Sequence, residues 1–202
     1  MKIKELIVAT GNRNKLKEIK ELLSDFEMTV KGMKDIWETV PEIEENGTTF
    51  FDNAGIKADW VFGKTGIWTL ADDSGLCVDA LGGEPGVKSA RFAGEHGDTK
   101  ANNRKLLSLI SEVPYEKRTA RFVCATVLHI NEAIVLKAEG TCEGKIGFKE
   151  SGSNGFGYDP LFYPEGYDKT LAEISNIEKN RISHRGKALQ KIKEMLHGYL
   201  SN

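Results

Sequence analysis

Two neighbouring carboxylates, Asp72 and Asp73, come directly after the mostly apolar residues 67–71 and are followed by Ser74 and Gly75. An apolar run of this length predicts a buried strand, and open α/β sheets bind ligands at the ends of such strands. Adjacent carboxylates repel each other, so a nearby cation is expected, and their hard oxygen atoms suit Mg²⁺. These residues therefore predict a metal site. The alternative is a turn capped by Asp72, with Asp73 solvated.

A second acidic pair, Glu44 and Glu45, comes just before the turn-forming residues Asn46 and Gly47. Either carboxylate could supply a further oxygen ligand to the same metal ion, because Mg²⁺ binds oxygen atoms almost exclusively. The alternative is that residues 42–45 form an acidic run whose charges are simply solvated.

A phosphate site is predicted at residues 10–15, with the sequence Thr-Gly-Asn-Arg-Asn-Lys, between an expected strand and an expected helix. A helix N-terminus presents free backbone N–H groups and a partial positive charge, and Lys15 adds a full charge. The chain contains neither GxxxxGK[ST] nor GxGxxG, which argues against a P-loop NTPase and against a dinucleotide-binding fold. An ordinary polar connection with a solvated lysine is the alternative.

Residues 155–160, Gly-Phe-Gly-Tyr-Asp-Pro, alternate aromatic residues with glycines, so both rings could project from a tight turn. Rings placed in this way stack on nucleobases, at about 1–3 kcal/mol per base. The alternative is that the loop packs onto the core. Further along, Lys179 and Ser183 are spaced for one face of a helix and precede His184 and Arg185, which suggests an anion or base-edge site.

The composition indicates one folded protein of 202 residues with a formal net charge of −2. This balance lacks the positive field of a general nucleic-acid binder. Three widely spaced cysteines without a CxxC pair suggest neither a disulfide framework nor zinc, and they fit a reducing compartment. The apolar run at residues 6–9 is too short for a secretion signal or a membrane span, so we expect a cytoplasmic protein without a membrane partner.

The hydrophobic pattern predicts a single α/β domain over residues 1–202, with a mixed sheet flanked by helices and two lobes separated by a substrate cleft. We expect a strand near residues 5–10, a helix that starts after Gly47 and ends near Gly63, a strand at residues 67–71 and a helix from Asp98 or Thr99 to Ile110. A hairpin is expected over residues 119–141. One long helix is expected after the capping box at Ser175.

Six motifs occur in order along nearly the whole chain: residues 10–15, residues 45–50 with Asn53 and Ala54, residues 71–76, Pro85 and Gly86 with residues 89–91, residues 156–160, and residues 183–186. In this combination the chain resembles the inosine triphosphate pyrophosphatase family. The resemblance implies Mg²⁺-dependent hydrolysis of ITP, dITP and XTP to the monophosphate and pyrophosphate. It also implies a homodimer with an elongated mixed sheet and no nucleic-acid partner.

The resemblance also implies roles for individual residues. Asp73 looks like the general base and a metal ligand, and Glu45 looks like the second acidic residue of the metal site. The implied substrate-binding residues are Thr10, Gly11, Asn12, Arg13, Asn14, Lys15, Lys57, Ser74, Phe156, Gly157, Tyr158, Asp159, Lys179, His184 and Arg185.

Two other functions stay open at the level of sequence. One is a pyrophosphatase for other modified nucleotides, including pyrimidines. The other is a nucleotide sensor or RNA-binding module that uses the aromatic loop. The carboxylates, which repel phosphates unless a metal intervenes, and the absence of a basic stripe argue against this second function.

Overall fold

The computed structural model describes residues 5–201, which form six β-strands and five α-helices joined by turns and short 3₁₀ segments. The strands are β1 (Glu5–Val8), β2 (Thr29–Gly32), β3 (Trp68–Val78), β4 (Thr119–Asn131), β5 (Ile134–Ile146) and β6 (Phe162–Pro164). The helices are α1 (Arg13–Leu22), α2 (Phe50–Thr65), α3 (Thr99–Leu109), α4 (Asn176–Ile182) and α5 (His184–Leu200).

All six strands belong to one sheet in the order β2-β1-β3-β4-β5-β6. Strand β1 pairs in parallel with both β2 and β3, whereas β5 and β6 pair antiparallel. Strands β4 and β5 are sequential neighbours joined at residues 132–133, which confirms the predicted hairpin. The predicted mixed α/β sheet is therefore confirmed, although the short strands β2 and β6 were not predicted.

The chain divides into two compact units, which confirms the expected two lobes. Among the described residues, the first unit contains residues 5–73, 124–140 and 186–201, and the second contains residues 74–123 and 141–185. Strands β3, β4 and β5 contribute residues to both units. Treatment of residues 1–202 as a single domain stays a prediction.

The first unit has two apolar clusters because residues along a strand alternate between the faces of a sheet. Leu6 and Val8 of β1 pack with α1 and α5 residues such as Ile19 and Leu189. Ile7, between them in the chain, instead packs in the cluster that contains α2 residues. Helices therefore cover both faces of β1.

Two predicted element boundaries were wrong. Helix α2 continues through Gly63 to Thr65, and Gly66 caps it in the left-handed conformation at a φ of 65°. Glycine adopts this conformation without a steric cost, and Gly66 fills that position one residue after the helix ends. The strand predicted to stop at residue 71 continues as β3 to Val78, and therefore contains Asp72, Asp73, Ser74 and Gly75. No helix among residues 5–201 has the length and apolarity needed to cross a membrane.

In the second unit, Arg118 joins the end of α3 to the β5 region. Its side chain is 2% exposed and donates hydrogen bonds to the backbone oxygen atoms of Val113, Gly147 and Ile110 at 2.8–2.9 Å, with a longer bond to Ser111 at 3.3 Å. One guanidinium group thus satisfies backbone oxygen atoms in the turn after α3 and one directly after β5.

We expect Arg118→Met to lower the free energy of unfolding by about 3 kcal/mol or more, because each buried carbonyl left without a donor costs about 1–3 kcal/mol. Urea denaturation followed by circular dichroism measures this loss. The matched control is Arg121→Ala, which removes a half-exposed ion pair with Asp79 at 3.2 Å and should cost about 0–1 kcal/mol. Equal losses in the two variants would contradict the role assigned to Arg118.

Candidate active site

Asp72 and Asp73 lie inside β3, and the alternation of the strand separates their side chains. The two preceding residues, Leu70 and Ala71, show which face of the sheet each side chain reaches. Leu70 packs in the cluster with α1 and α5 residues, and Ala71 packs in the cluster with α2 residues. In the same alternation, Asp72 contacts Lys15 of α1, whereas Asp73 contacts side chains of α2. The two carboxylates therefore have separate cationic partners, and the predicted single acidic pair at a strand end was wrong.

Asp73 has two neighbours on α2. Its Oδ2 accepts a hydrogen bond from Asn53 Nδ2 at 3.1 Å, and its Oδ1 lies 3.8 Å from Lys57 Nζ. Lys57 Nζ also donates to Glu45 Oε2 at 3.1 Å. One ammonium group thus contacts both carboxylates that the resemblance assigns to a metal site. We call Glu45, Lys57 and Asp73 the Lys57 cluster.

Burial dominates the electrostatics of Asp73, which is 8% exposed, and it raises the pKa of the carboxyl group above its usual value. The charges of Lys57 and Lys15 and the hydrogen bond from Asn53 act in the opposite direction, while the charge of Glu45 adds to the increase. A carboxylate with a raised pKa is a stronger base. Asp73 is therefore suited to accept a proton from a water molecule.

Asn53 joins the Glu45 loop to β3 and was not predicted as a site residue. Its Nδ2 donates to Asp73, and its Oδ1 accepts a hydrogen bond from the backbone N–H of Gly47 at 2.8 Å. Gly47 must approach closely for this bond, because a Cβ there would lie 2.5 Å from Asp52 Cβ and 2.7 Å from Asn53 Oδ1. The spacing of Gly47 and Asn53 around the start of α2 was the available signal.

Asp72 is 1% exposed, and its Oδ2 lies 3.1 Å from Lys15 Nζ and 3.8 Å from Cys124 Sγ. A buried carboxylate of this kind requires a nearby cation, and α1 supplies it. Lys15, one of the predicted phosphate-binding residues, is therefore held beside β3. Its charge also acts on Asp73 by lowering the pKa of that group.

Residues 10–15 lie between β1 and the first turn of α1, as predicted. Asn12 caps the helix, and its Oδ1 accepts hydrogen bonds from the backbone N–H groups of Asn14 at 2.9 Å and Lys15 at 3.2 Å. Thr10 Oγ1 accepts a bond from Asn12 N at 3.1 Å. The backbone N–H groups of Asn14 and Lys15 thus already have an acceptor within the loop. A phosphate group bound here would contact side chains of the loop as well as the capped end of the helix.

In the second unit, the two aromatic residues of the predicted base loop have different environments. The Tyr158 ring lies in the apolar cluster at 4% exposure, and its hydroxyl donates to Ser89 O at 2.9 Å. Burial raises the pKa of Tyr158, so the phenol stays protonated as a donor. The predicted stacking role of the Tyr158 ring was therefore wrong, because the ring anchors the loop to the core. Phe156 is only partly buried.

Asp159 fixes the backbone of Phe156 and is held in turn by Lys179. Asp159 Oδ2 accepts a hydrogen bond from Phe156 N and an ion pair from Lys179 Nζ, both at 2.8 Å. The Lys179 and Asp159 side chains are each 4% exposed. Lys179 Nζ lies 4.8 Å from the Phe156 ring centroid, and Arg185 Cζ lies 5.6 Å from it. Two cations therefore contact the one ring of the loop that is partly exposed.

The predicted long C-terminal helix is two helices, α4 and α5, separated by Ser183 in an extended conformation. Lys179 and Ser183 consequently do not share one continuous helix face, which corrects the prediction. His184 stacks on Phe122 with ring centroids 4.7 Å apart. Arg185 donates from Nη2 to Ser74 Oγ at 3.0 Å, which brings these two predicted substrate-binding residues together.

The candidate functional side chains thus form two sets, one in each unit. The first unit holds the Lys57 cluster with Asn53, Asp72 and Lys15, and the second holds Phe156 with Asp159, Lys179, Arg185 and Ser74. Asp73 and Ser74 are consecutive residues of β3, so one peptide bond joins a member of each set. The first set offers carboxylates and cations for phosphates, and the second offers a ring beside cations for a nucleobase.

The comparisons with known proteins agree with one another. The family model described as the Ham1 family matches residues 6–195. A dITP/XTP pyrophosphatase of Bacillus cereus is 48% identical over 196 residues, covering 96% of this chain and 95% of that protein.

Solved structures of Ham1 proteins have a similar fold. The Staphylococcus aureus Ham1 protein is 37% identical with a TM-score of 0.86, over 97% of this chain and 100% of that one. A HAM1 protein from Coxiella burnetii is 41% identical, also with a TM-score of 0.86, over 96% of this chain and 99% of that one.

We expect Asp73→Asn to raise the melting temperature of the metal-free protein at neutral pH. The raised pKa means that the folded state holds the Asp73 proton more tightly than the unfolded state, so stability falls as pH rises from the usual value, 3.8, to the folded pKa. Asparagine resembles the neutral form and avoids this loss. Calorimetry in EDTA measures the gain, at about 2–4 °C per kcal/mol.

The gain of Asp73→Asn over the wild-type protein should shrink as the pH approaches 3.8. The matched control is Asp72→Asn, in the adjacent residue of the same strand. It removes the partner of Lys15 at 3.1 Å and should lower the melting temperature, because it breaks a largely buried pair. A lower melting temperature for Asp73→Asn at neutral pH would contradict the assignment of burial as the dominant influence.

Proposed function

The chain belongs to the Ham1 family, and from this premise we propose that it hydrolyses non-standard purine nucleoside triphosphates to the monophosphate and pyrophosphate. It is a nucleoside-triphosphate pyrophosphatase that acts on ITP, dITP and XTP and removes them from the nucleotide pool. The Lys57 cluster carries the proposal, because two carboxylates around one ammonium group suit water activation beside bound phosphates.

The donor set of the Lys57 cluster fits Mg²⁺. This ion commonly takes one or two carboxylates and completes its octahedron with water and substrate phosphate oxygens. Glu45 and Asp73 supply two carboxylates that already share a cationic neighbour. Within residues 5–201 no group of three or more His, Cys, Asp or Glu side chains is placed to hold a metal ion. A site completed by the triphosphate agrees with that finding.

We assign Glu45 and Asp73 as the residues that hold Mg²⁺. When bound, the ion would withdraw negative charge from the phosphate oxygens and so make the phosphorus more electrophilic. A homodimer and a cytoplasmic location stay predictions.

Asp73 is the proton acceptor of the proposed reaction. Water attacks the α-phosphorus in line, the bond from this phosphorus to the bridging oxygen breaks, and pyrophosphate leaves. The proton of the attacking water passes to an Asp73 carboxylate oxygen. Asn53 holds Oδ2 at 3.1 Å and thereby orients the carboxylate. Most of the rate enhancement then comes from positioning and electrostatics.

Lys15 and Lys57 supply the fixed positive charge for the triphosphate. Each is held by a carboxylate at 3.1 Å, Lys15 by Asp72 and Lys57 by Glu45. These ion pairs restrain the two long side chains before substrate binds, which reduces the entropy that binding must remove. Residues 10–15 are the proposed remainder of the phosphate site.

Phe156 and Arg185 are the proposed base-recognition residues of the second unit, with Lys179, Asp159 and His184 around them. The Phe156 ring offers a face for stacking, and Asp159 holds its backbone N–H at 2.8 Å. Hypoxanthine and xanthine carry a 6-oxo acceptor that a guanidinium donor can bind. The 6-amino group of adenine would instead meet donor against donor. Rejection of guanine must depend on its 2-amino group.

We expect ITP, dITP and XTP to be cleaved much faster than ATP or GTP, with pyrophosphate as the second product. A panel of nucleoside triphosphates that includes modified pyrimidines, assayed for pyrophosphate with Mg²⁺ and with EDTA, measures this. Asp73→Asn should reduce turnover by about 10²-fold or more, because it removes the proton acceptor. Equal rates on ATP, or release of orthophosphate instead, would overturn the proposal, and binding without hydrolysis would favour a nucleotide sensor.

Phe156→Ala and Lys15→Met should separate base recognition from phosphate recognition. Loss of the ring should weaken the binding of inosine monophosphate by about 1–3 kcal/mol but leave the binding of inorganic triphosphate almost unaffected. Loss of the Lys15 charge should weaken the binding of inorganic triphosphate, by an amount that decreases at high salt.

Competitive inhibition by both compounds, measured at two salt concentrations, checks this difference. Tyr158→Phe is the matched control in the loop. It removes only the hydroxyl bonded to Ser89 O and should lower stability without selective loss of inosine monophosphate. If Phe156→Ala weakened both inhibitors equally, the ring would be a support for the loop and not a stacking surface.

A further inference from the structure

Asn103 is a buried polar side chain in the middle of α3, at 1% exposure. Its Nδ2 donates to Gly157 O at 3.3 Å and to Glu150 Oε1 at 2.7 Å. Burying an amide is unfavourable unless it forms hydrogen bonds, and asparagine is a poor helix former. Position 103 therefore requires a hydrogen-bond donor, and the Nδ2 group of Asn103 reaches the carbonyl of Gly157, the residue after Phe156.

The two ends of the Asn103 amide group differ in their hydrogen bonds. Its Oδ1 is buried and has no hydrogen-bond partner among residues 5–201. The side chain thus leaves an acceptor without a donor while the Nδ2 group forms two bonds. One of the two bonds that Nδ2 donates holds the backbone of the base loop.

The preceding residue, Asn102, has the same side chain and similar burial but a different target. Its Oδ1 accepts from Ala93 N at 2.7 Å, and its Nδ2 donates to Ala90 O at 3.3 Å. Adjacent asparagines of α3 therefore tie down two different segments of the second unit. Asn102 holds residues 90–93, and Asn103 holds the loop that carries Phe156.

Asn103 completes a row of contacts at three consecutive loop residues. Phe156 is held through its backbone N–H by Asp159, Gly157 through its carbonyl by Asn103, and Tyr158 through its hydroxyl by Ser89 O. Gly157 has no side chain of its own to pack, so a hydrogen bond from another element is what restrains its peptide group. Release of that carbonyl would give the loop freedom next to the Phe156 ring.

We propose that Asn103 is a positioning residue for base recognition, which sets the place of the Phe156 ring by holding the Gly157 carbonyl. The proposal rests on the proposed function, because it assumes that the ring of Phe156 contacts the purine. Asn103 does not touch the substrate. Its effect is on the affinity for the base. It does not contact Asp73 or the side chains that are proposed to bind the phosphates.

The experiment compares Asn103→Ala and Asn103→Leu with Asn102→Ala. Alanine and leucine both remove the donor, and leucine also restores most of the volume, so at least one variant should fold. Each protein is assayed for KM and kcat with ITP, for competitive inhibition by inosine monophosphate and by inorganic triphosphate, and for melting temperature.

For both Asn103 variants we expect KM for ITP and the inhibition constant of inosine monophosphate to rise about three- to tenfold, the equivalent of one lost hydrogen bond. Inhibition by inorganic triphosphate should stay unchanged. Asn102→Ala should lower the melting temperature to a similar extent but leave both constants as in the wild-type protein.

Two results would overturn the positioning role of Asn103 while leaving the proposed function intact. One is a wild-type KM for ITP in an Asn103 variant whose melting temperature has fallen, which would make the side chain a structural anchor only. The other is an equal rise in the constants for inosine monophosphate and inorganic triphosphate. Failure of the wild-type protein itself to hydrolyse ITP would instead reject the proposed function.

Discussion

The first unit is organised around two adjacent aspartates that β3 carries into the interior. A buried carboxylate is unfavourable without a cation and hydrogen bonds, and strand alternation sends these two to opposite faces. Each face must therefore supply its own partner. Helix α1 provides Lys15 for Asp72, and α2 provides Lys57 and Asn53 for Asp73. The helices that pack on the two faces through apolar residues thus also carry the partners of the two carboxylates.

The second unit also contains a buried carboxylate with a cationic partner, but there the pair supports a loop. Its buried pair, Lys179 and Asp159, lies beneath a loop and not within a strand, and it holds the backbone of Phe156. Tyr158 and Asn103 restrain the next two residues. We therefore propose that charge in the first unit acts on the substrate, whereas charge in the second mainly holds the Phe156 ring in place. This division suits a substrate with an ionic end and a planar end.

Local patterns predicted elements well where one interaction decides the outcome. The capping residue Asp98 starts α3, and the alternating β-branched residues form the β4–β5 hairpin. Predictions failed where a tertiary contact decided. Polar residues such as Asp73 indicated a strand end, but partners on α1 and α2 allow β3 to continue through them. The helix break at Ser183 had only a weak local signal, a serine directly before the first residue of α5, since no proline marks it.

The candidate site was predictable as a set of residue types but not as an arrangement. The motifs indicated Lys15, Glu45, Lys57, Asp73 and Phe156, yet spacing along the chain does not reveal which cation meets which carboxylate. Residues that act through another side chain were harder still to find. Asn53 and Asn103 are ordinary polar residues in helices, and their importance depends on the groups they reach. Tyr158 was misread because its ring and its hydroxyl both have partners in the core.

The bond between Gly47 and Asn53 places an evolutionary restriction on two positions at once. A side chain at position 47 would collide with Asp52 Cβ as well as with Asn53 Oδ1, and a smaller residue at position 53 would remove only the second clash and would release Asp73 Oδ2. Neither replacement alone preserves the bond to the carboxylate. Descendants of this sequence should therefore keep both residues, because an exchange at position 53 does not compensate for a side chain at position 47.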